Sequence, residues 1–477
     1  MNVKEKIKSN TVNLTEALIP VFILISLLFY NIKYANGSLF GNYSNQIILL
    51  IAAGVGVIIG LKNKFKLNQI TTSIWLNIKS VLHPISILLL VGALAGSWLI
   101  SGIIPAMVYY GLQILNPNIF LPAAVVVSAI VSIATGSSWT TTATVGIALI
   151  GIGTALGINQ GIIAGAVISG AYFGDKISPL SDTTNLAPAM AGTDIFTHIN
   201  YMLITTVPTF IITLIVFFIL NYNIHIDGDT NIERLLLTIE SVFNVTPWLF
   251  IVPLSVILLI LFKTKPLIAM GSGIVLALLF SFIYQNQILN SQESSVLKTI
   301  TQAIFSNTQI ITTNKALNTL FSTSGILGML PTIFLIICAM IFGGVMDVIG
   351  ALHKITQILL SVSSTIFSLF ASTVISCLGL NIITADQYLA IVIPGKMFKK
   401  AFEDKNLAPE NLSRTLEDSG TVTSVLIPWN TCGAYQASVL GVSVSEYFVY
   451  AIFNWLSPFT TLLFAALSIK IRRIVSK

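Results

Sequence analysis

The sequence carries very little charge. Aspartate, glutamate, lysine and arginine make up 9% of its 477 residues, whereas roughly 25% is usual for soluble domains. This scarcity excludes an ordinary water-soluble fold. The net charge of +6 is not a nucleic-acid-binding signal either, because the lysines and arginines lie in short loops and near the termini, as in membrane proteins. We therefore expect no nucleic-acid partner.

Motifs for nucleotide-driven or enzymatic chemistry are also missing. The sequence has no GxxxxGK[ST] motif, which argues against ATP-driven transport, and no HExxH or GxSxG motif. Its three cysteines lack CxxC spacing, which indicates packing residues rather than a metal or redox site. We expect no enzyme activity, no cofactor and no buried arginine for a carboxylate substrate. The last expectation follows from the positions of all four arginines outside the apolar runs: Arg234, Arg414, Arg472 and Arg473.

Long apolar runs are what the sequence does contain. Hydrophobic residues form 55% of the chain and the mean hydropathy is +0.89, which predicts an all-α polytopic membrane protein. Basic clusters place both termini in the cytoplasm; they include Lys4, Lys6, Lys8, Lys62, Lys64, Lys66, Lys263, Lys265, Lys396, Lys399, Lys400, Lys470 and Lys477. Residues 221–245, with His225, Asp227 and Asp229, are acidic on balance and are expected on the outer face.

The most informative segment is GDKISPLSDTTN, residues 174–185, between two apolar runs. Polar groups at that depth are costly unless they face protein or water, so the cluster indicates a functional site. Pro179 cannot continue a helix, which predicts an ion-handling break in a membrane helix. Asp175 and Asp182 are hard oxygen ligands that can bind Na⁺ and a proton alternately. Two structural alternatives remain: Asp175 pairs with the adjacent Lys176, or either aspartate caps a helix.

Hydroxyl and amide side chains complete the candidate ion site. Within the same segment they are Ser178, Thr183, Thr184 and Asn185. Residues 136–142, with Ser137, Ser138 and Thr140, have the composition of a re-entrant hairpin tip, although helix-packing hydroxyls explain them equally well. The second half adds a matching tip and a second break, with these candidates: Asn381, Thr384, Asp386, Asp418, Asn430 and Thr431.

The two halves of the chain resemble each other weakly. SIATGSSWTTTATVGIAL around Gly136 is similar to SCLGLNIITADQYLAIVI around Gly379, and Asp175 and Asp418 each follow 39 residues later. Each half holds an odd number of membrane segments, which inverts the second half. Inverted repeats with broken helices are typical of secondary transporters. We predict two inverted-topology repeats with re-entrant hairpins and broken helices, at residues 1–240 and 241–477.

Three segments also resemble a known family. GAYFGDKISPLSDTTNLAPAMAGTDIFTHI, TGSSWTTTATVG and EDSGTVTSVLIPWNTCGAY are similar to the NhaC-type sodium/proton antiporters, which include proton/sodium-coupled malate/lactate antiporters. The resemblance covers nearly the whole chain and implies exchange in a bacterial inner membrane on an ion-transporter-superfamily fold. It implies ion-binding roles for Asp175, Ser178, Asp182, Thr183 and Asn185. By analogy, scaffold helices at 14–115 and 246–350 can form a homodimer, and transport parts lie at about 119–220 and 355–468.

These observations favour a Na⁺/H⁺ antiporter that expels cytoplasmic Na⁺ and binds it at Asp175 and Asp182. The alternative is an exchanger that uses the same ion site to move malate, lactate or an amino acid. A passive channel fits less well, because inverted repeats with broken helices favour alternating access. The expected partners are the lipid bilayer, Na⁺, H⁺ and, in the alternative, a small organic anion or amino acid.

Overall fold

The computed structural model describes residues 12–35, 38–224, 232–262, 264–290 and 295–474. Some of the predictions above concern residues outside these ranges, namely Lys4, Lys6, Lys8, His225, Asp227, Asp229, Lys263 and Lys477. Helices make up most of the described chain. In the first half they are α1 (Leu14–Tyr34), α2 (Ser44–Lys62), α3 (Leu67–Ser80), α4 (Leu82–Ile100), α5 (Ile103–Ile114), α6 (Phe120–Thr135), α7 (Ser138–Thr141), α8 (Ile147–Ala155), α9 (Gln160–Ile177), α10 (Asp182–Ala191) and α11 (Ile195–Asn223).

The second half is also built mainly of helices. Its helices are α12 (Ile232–Val242), α13 (Ile251–Leu261), α14 (Pro266–Tyr284), α15 (Asn286–Asn290), α16 (Val296–Phe305), α17 (Lys315–Leu320), α18 (Leu330–Val348), α19 (Ala351–Ser361), α20 (Ile366–Thr384), α21 (Gln387–Asp404), α22 (Pro409–Leu416), α23 (Thr431–Leu440), α24 (Val444–Tyr447) and α25 (Ile452–Ala466). π-helical turns occupy Thr142–Gly146 and Glu417–Thr421. The short strands are β1 (Leu39–Asn42), β2 (Thr308–Gln309) and β3 (Ser322–Thr323), and β2 pairs antiparallel with β3.

The described helices fit a membrane. Eight of them are long and apolar enough to cross a bilayer, and ten spans result if two bent helix pairs each count as one. The apolar stretch 81–115, too long for one straight span, is divided between α4 and α5 at Gly102, whose φ is 77°. A positive φ is easy only for glycine, which explains the break at this residue. The predicted all-α polytopic fold is confirmed.

Two helical hairpins share one backbone geometry at their tips. In the first, α6 ends at Gly136 with φ 68°, and the extended Ser137 accepts a hydrogen bond from the Thr140 N–H. In the second, α20 ends at Ala385 with φ 56°, and the extended Asp386 accepts one from the Leu389 N–H. Each hairpin therefore turns through one left-handed residue and restarts at a side-chain N-cap.

A broken helix follows each hairpin at the same spacing. α9 stops before an extended stretch that ends at Ser181, the N-cap of α10. In the second half the chain is extended up to Asn430, the N-cap of α23. A hydrogen bond repeats as well: the Ser132 hydroxyl donates to the Ala171 carbonyl, and the Asn381 amide donates to the Gly420 carbonyl. The predicted repeats with re-entrant hairpins and broken helices are therefore present.

The register of the repeat differs from the predicted one. The equivalent of Gly136 at the tip is Ala385, whereas Gly379 lies inside α20. The pairing of Gly136 with Gly379, and of Asp175 with Asp418, is therefore wrong. A non-glycine residue at the left-handed position hid the match, because glycine is the usual sequence signal for that conformation.

Glycines bring the first hairpin and its broken helix into direct backbone contact. A Cβ atom built on Gly170 would lie 2.1 Å from the Val125 carbonyl oxygen, and one on Gly174 would lie 2.4 Å from that of Ala129. Glycine alone allows this approach of α9 to α6. Gly170 and Gly174 are therefore close-packing positions.

Candidate functional site

A cavity of about 950 Å³ lies where the two halves meet. Both hairpin tips and both helix breaks contribute to its wall, through Thr135, Gly136, Ser137, Trp139, Thr140, Asp175, Ser181, Asp182, Thr183, Asp386, Tyr388 and Thr431. Residues of α3, the start of α4, the α13–α14 connection and the end of α18 line its outer part, among them His83, Lys265 and Asp347. Each tip thus faces the same space as the break of the opposite half.

Asp175 is held by the first hairpin tip. It lies in the last turn of α9, and its Oδ2 accepts hydrogen bonds from the Ser138 N–H at 3.0 Å and the Ser138 hydroxyl at 2.7 Å. Hydrogen bonds to a charged group are stronger than neutral ones and fix its direction. Asp175 does not pair with Lys176, so the first structural alternative does not apply.

Two further carboxylates line the same cavity. Asp182 is the first residue of α10 and is exposed to the cavity, and its helix is capped by Ser181 rather than by Asp182 itself. Asp386 is largely buried at the second tip, where its Oδ1 caps α21 by accepting from the Leu389 N–H at 2.9 Å. Asp175, Asp182 and Asp386 therefore present three carboxylates to one cavity.

Three of the candidate ligands are occupied by other contacts. The Ser178 hydroxyl donates to the Ile133 carbonyl at 2.8 Å, and the Asn185 amide donates to the carbonyls of Pro179 and Ser181. The Thr183 hydroxyl donates to Glu417 at 3.0 Å. In this conformation these side chains shape the break instead of facing an ion.

The second-half candidates divide into two groups. Of the uncharged ones, Thr431 faces the cavity, whereas Asn381, Thr384 and Asn430 hold the second tip and break together. The Asn381 amide donates to the Gly420 carbonyl at 2.7 Å, the Asn430 amide donates to Asn381, and the Thr384 hydroxyl donates to the Leu380 carbonyl. Their contacts position the Asp386 tip.

Asp418 lies outside the cavity lining. It is fully buried and forms an ion pair with Lys176, across the two halves of the chain. The Thr205 and Thr461 hydroxyls also donate to its Oδ2. Asp418 therefore satisfies a buried lysine, and the expectation that it lines the second break does not match its position.

Sequence reasoning missed two buried charges on the same stretch. Arg414 is fully buried, with its guanidinium carbon 4.5 Å from the centre of the Tyr201 ring. It is not among the residues that line the cavity, so the expectation of no buried arginine for a carboxylate substrate stays a prediction. Glu417 is also fully buried and contacts Thr183. The basic and polar residues around position 410 indicated a cytoplasmic surface, and only the packing of α10, α11 and α21 around α22 covers them.

An aromatic pair joins the two halves beside the cavity. Trp139 of the first tip stacks on Tyr435 of α23, with ring centroids 3.9 Å apart. The Tyr435 hydroxyl also donates to the Trp139 carbonyl at 3.0 Å. No charge marked this pair in the sequence, and a Trp and a Tyr 296 residues apart give no signal until the fold brings them together.

The arrangement suits a small cation that binds and leaves. Within the described ranges, no three His, Cys, Asp or Glu side chains are grouped closely enough to hold a metal ion. Carboxylates with nearby hydroxyl and carbonyl oxygens are hard ligands for an alkali or alkaline-earth cation. The carboxylates at broken helices between two repeats define the class: a secondary active, ion-coupled transporter.

Comparison with known proteins identifies the family. The sequence profile of the Na⁺/H⁺ antiporter family matches residues 170–469. The chain is 39% identical to the Na(+)/H(+) antiporter NhaC of Alkalihalophilus pseudofirmus, over 89% of this chain and 90% of that protein. It is 37% identical to the Na(+)/H(+) antiporter NhaC of Bacillus subtilis, over 81% and 84%. The chain belongs to the Na⁺/H⁺ antiporter family.

A relative named for a different exchange is also similar. The malate-2H(+)/Na(+)-lactate antiporter of Bacillus subtilis is 33% identical, over 86% of this chain and 86% of that protein.

Proposed function

We propose that the protein exchanges cytoplasmic Na⁺ for external protons by alternating access, without a catalytic cofactor. The observation that carries this proposal is the grouping of Asp175, Asp182 and Asp386 around one cavity between two broken-helix repeats. Na⁺ is bound by Asp175 and Asp182, and Asp386, Thr431 and freed backbone carbonyls supply further oxygens.

Competition for one carboxylate couples the two ions. Na⁺ and a proton each neutralise Asp175, so the site carries one or the other through the membrane. Ser138 holds the carboxylate through two hydrogen bonds and orients it for either ligand. No covalent step is needed, because the inward proton gradient drives the replacement of Na⁺ by H⁺ on the outer side.

The lining of the cavity supports a cytoplasmic opening in this conformation. Its outer part is formed by the start of α4 and by the α13–α14 connection with Lys265. Basic connections face the cytoplasm, so Na⁺ enters the site from that side. On the same basis both termini lie in the cytoplasm, and the protein resides in the bacterial plasma membrane.

We assign residues 1–240 and 241–477 to the two repeats. The transport part comprises about 119–220 and 355–468, and the scaffold comprises 14–115 and 246–350 and provides the surface for a homodimer. In this division the hairpins and broken helices move together relative to the scaffold.

Proteoliposomes test the exchange directly. With an imposed pH gradient, Na⁺ is expected to move protons in vesicles containing the protein, and Asp175→Asn is expected to abolish this movement. Asp404→Asn, at an exposed aspartate at the end of α21, is the matched control and should retain it. Full exchange by Asp175→Asn would contradict the assigned ion site.

The cavity volume favours a second candidate function. A space of about 950 Å³ is far larger than Na⁺ requires and falls within the range of small-molecule sites. An exchanger of malate, lactate or an amino acid with the same ion site fits this volume. Proton movement that requires both Na⁺ and one of these solutes, and is absent with Na⁺ alone, would select this second function.

A further inference from the structure

A row of hydroxyl groups leads from the cavity to a carboxylate buried behind it. Ser181 lines the cavity together with Asp175. The Ser181 hydroxyl lies 3.2 Å from the Thr183 hydroxyl. The Thr183 hydroxyl is in turn 3.0 Å from Glu417 Oε1. Hydroxyl groups both donate and accept hydrogen bonds, so such a row can pass a proton along its length.

Glu417 is poorly compensated for a buried acid. It is fully buried at the first position of a π-helical turn, and its Oε2 has no hydrogen-bond partner among the described residues. Burial of an ionised carboxylate is costly without paired charges or several hydrogen bonds. Binding of a proton removes that charge. π-helical turns often occur at functional sites.

The cations nearby do not form an ion pair with Glu417. Lys176 of α9 pairs with Asp418, and His198 of α11 hydrogen-bonds Ser413 through Nδ1. The Arg414 guanidinium lies over the Tyr201 ring, and its nitrogens have no hydrogen-bond partner among the described residues. Since none of the described basic side chains is paired with Glu417, a proton can neutralise its charge.

The helices around the π-helical turn of Glu417 also carry acidic groups. They are Asp175 on α9, Asp182 on α10, the Cys377 thiol on α20 and Asp386 on α21, while α25, which also packs against the π-helical turn, carries no titratable side chain. The carboxylates are the groups whose charge Na⁺ offsets. Their electrostatic field attracts a cation to Asp175. Once the cation is bound there, its own charge repels a proton at Glu417.

We propose that Glu417 is a second proton-binding site of the exchanger, reached from the cavity through the hydroxyls of Ser181 and Thr183. This assignment rests on the proposed Na⁺/H⁺ exchange. When Na⁺ enters, the proton on Glu417 leaves through Thr183 and Ser181 to water in the cavity. When Na⁺ departs, a proton returns by the same route. Two protons then move against one Na⁺, and the exchange carries net charge.

The test compares variants in proteoliposomes with two measurements. One is the number of protons moved per Na⁺ together with its dependence on membrane voltage. The other is the exchange of labelled Na⁺ against unlabelled Na⁺, which needs no net proton movement. Glu417→Gln keeps the volume and an oxygen for Thr183 but cannot carry a proton. Glu410→Gln, at a buried glutamate of α22 that contacts Arg472 instead, is the matched control.

Glu417→Gln is expected to halve the number of protons per Na⁺ and to abolish the voltage dependence, while Na⁺/Na⁺ exchange continues. Thr183→Val should slow proton movement with Na⁺/Na⁺ exchange retained, and Thr183→Ser should restore it. This pair also decides the question if Glu417→Gln fails to fold. An unchanged proton count and voltage dependence in Glu417→Gln, or Thr183→Val behaving as wild type, would overturn the assignment.

Two other results separate this proposal from the one on which it rests. Loss of Na⁺/Na⁺ exchange in Glu417→Gln would mean that Glu417 belongs to the Na⁺ site or is needed for packing. Either result would overturn its assignment as a separate proton site. A wild-type protein that moves no protons in response to Na⁺ would refute the proposed exchange itself, whatever the variants do.

Discussion

Removal of Lys176 tests the buried ion pair between the two halves. In Lys176→Met the side-chain length is nearly kept, but Asp418 is left as a fully buried carboxylate without its cation. An orphaned buried charge costs about 3–5 kcal/mol. Asp418 keeps the Thr205 and Thr461 hydroxyls, so we expect a loss near the lower end, about 3 kcal/mol of unfolding free energy.

The double variant Lys176→Met/Asp418→Asn removes both charges. Neutral replacements of a buried pair are often well tolerated, so the double variant should be about 2 kcal/mol more stable than the single one. Unfolding in mixed dodecyl sulfate and maltoside micelles, followed by tryptophan fluorescence, measures both. Lys62→Met is the control: it breaks an ion pair whose lysine is 72% exposed, and should cost about 0–1 kcal/mol.

The reasoning fails if Lys176→Met costs no more than Lys62→Met. It also fails if neutralising Asp418 restores nothing, because the loss would then come from packing of the lysine chain and not from an uncompensated charge.

The remaining predictions concern packing, the ion site and a helix cap. Gly96→Ala should destabilise the protein by about 1–3 kcal/mol, because its Cβ would lie 1.8 Å from the Ala303 carbonyl oxygen. Gly54→Ala, whose Cβ would enter open space, should not destabilise it. Thermal unfolding compares the two variants. Ser138→Ala removes one of the donors to Asp175 and should raise the KM for Na⁺ about tenfold, since a charged hydrogen bond contributes about 1.5–3 kcal/mol; an unchanged KM would contradict this. Hydrogen bonds from Thr197 lower the pKa of Asp194, the N-cap of α11. The ionised carboxylate therefore stabilises the start of this helix above the usual aspartate pKa, and the stabilisation disappears as the pH falls through the lowered pKa. The protection factors of the amides in the first turn of α11, which correct for the intrinsic slowing of exchange in acid, should therefore fall as Asp194 is protonated, and should not fall in Asp194→Asn.

Local patterns in the sequence predicted much of the first half of the site. Pro179 and the polar residues around it indicated the break between α9 and α10, and Gly136 indicated the tip of the first hairpin. These signals are local because proline and glycine act on their own backbone conformation. The same rules missed the register of the second half, because the residue in the left-handed conformation there is Ala385 and not a glycine. The Ala385 carbonyl accepts a hydrogen bond from the Thr431 N–H.

Long-range partners were not predictable in this way. Lys176 and Asp418 are 242 residues apart, and the sequence placed Lys176 beside Asp175 and Asp418 beside Arg414. The packing of α9, α22 and α25 decides which oppositely charged side chain each residue contacts. An apolar sequence with little alternation of polar and apolar residues does not predict that packing. For the same reason the position of Arg414 outside the apolar runs did not reveal that the fold buries it together with Glu417.

The backbone contact between α6 and α9 sets a limit on how the protein moves. With Gly170 and Gly174 seated on carbonyl oxygens of α6, and Ser132 hydrogen-bonded to Ala171, neither helix can slide along the other without a steric collision. Ser138 on the hairpin and Asp175 on α9 then keep their separation whichever side of the bilayer the cavity faces. For the ion site proposed at Asp175, the geometry set by Ser138 is then the same in both end states of the exchange, and only the access of water to the site changes.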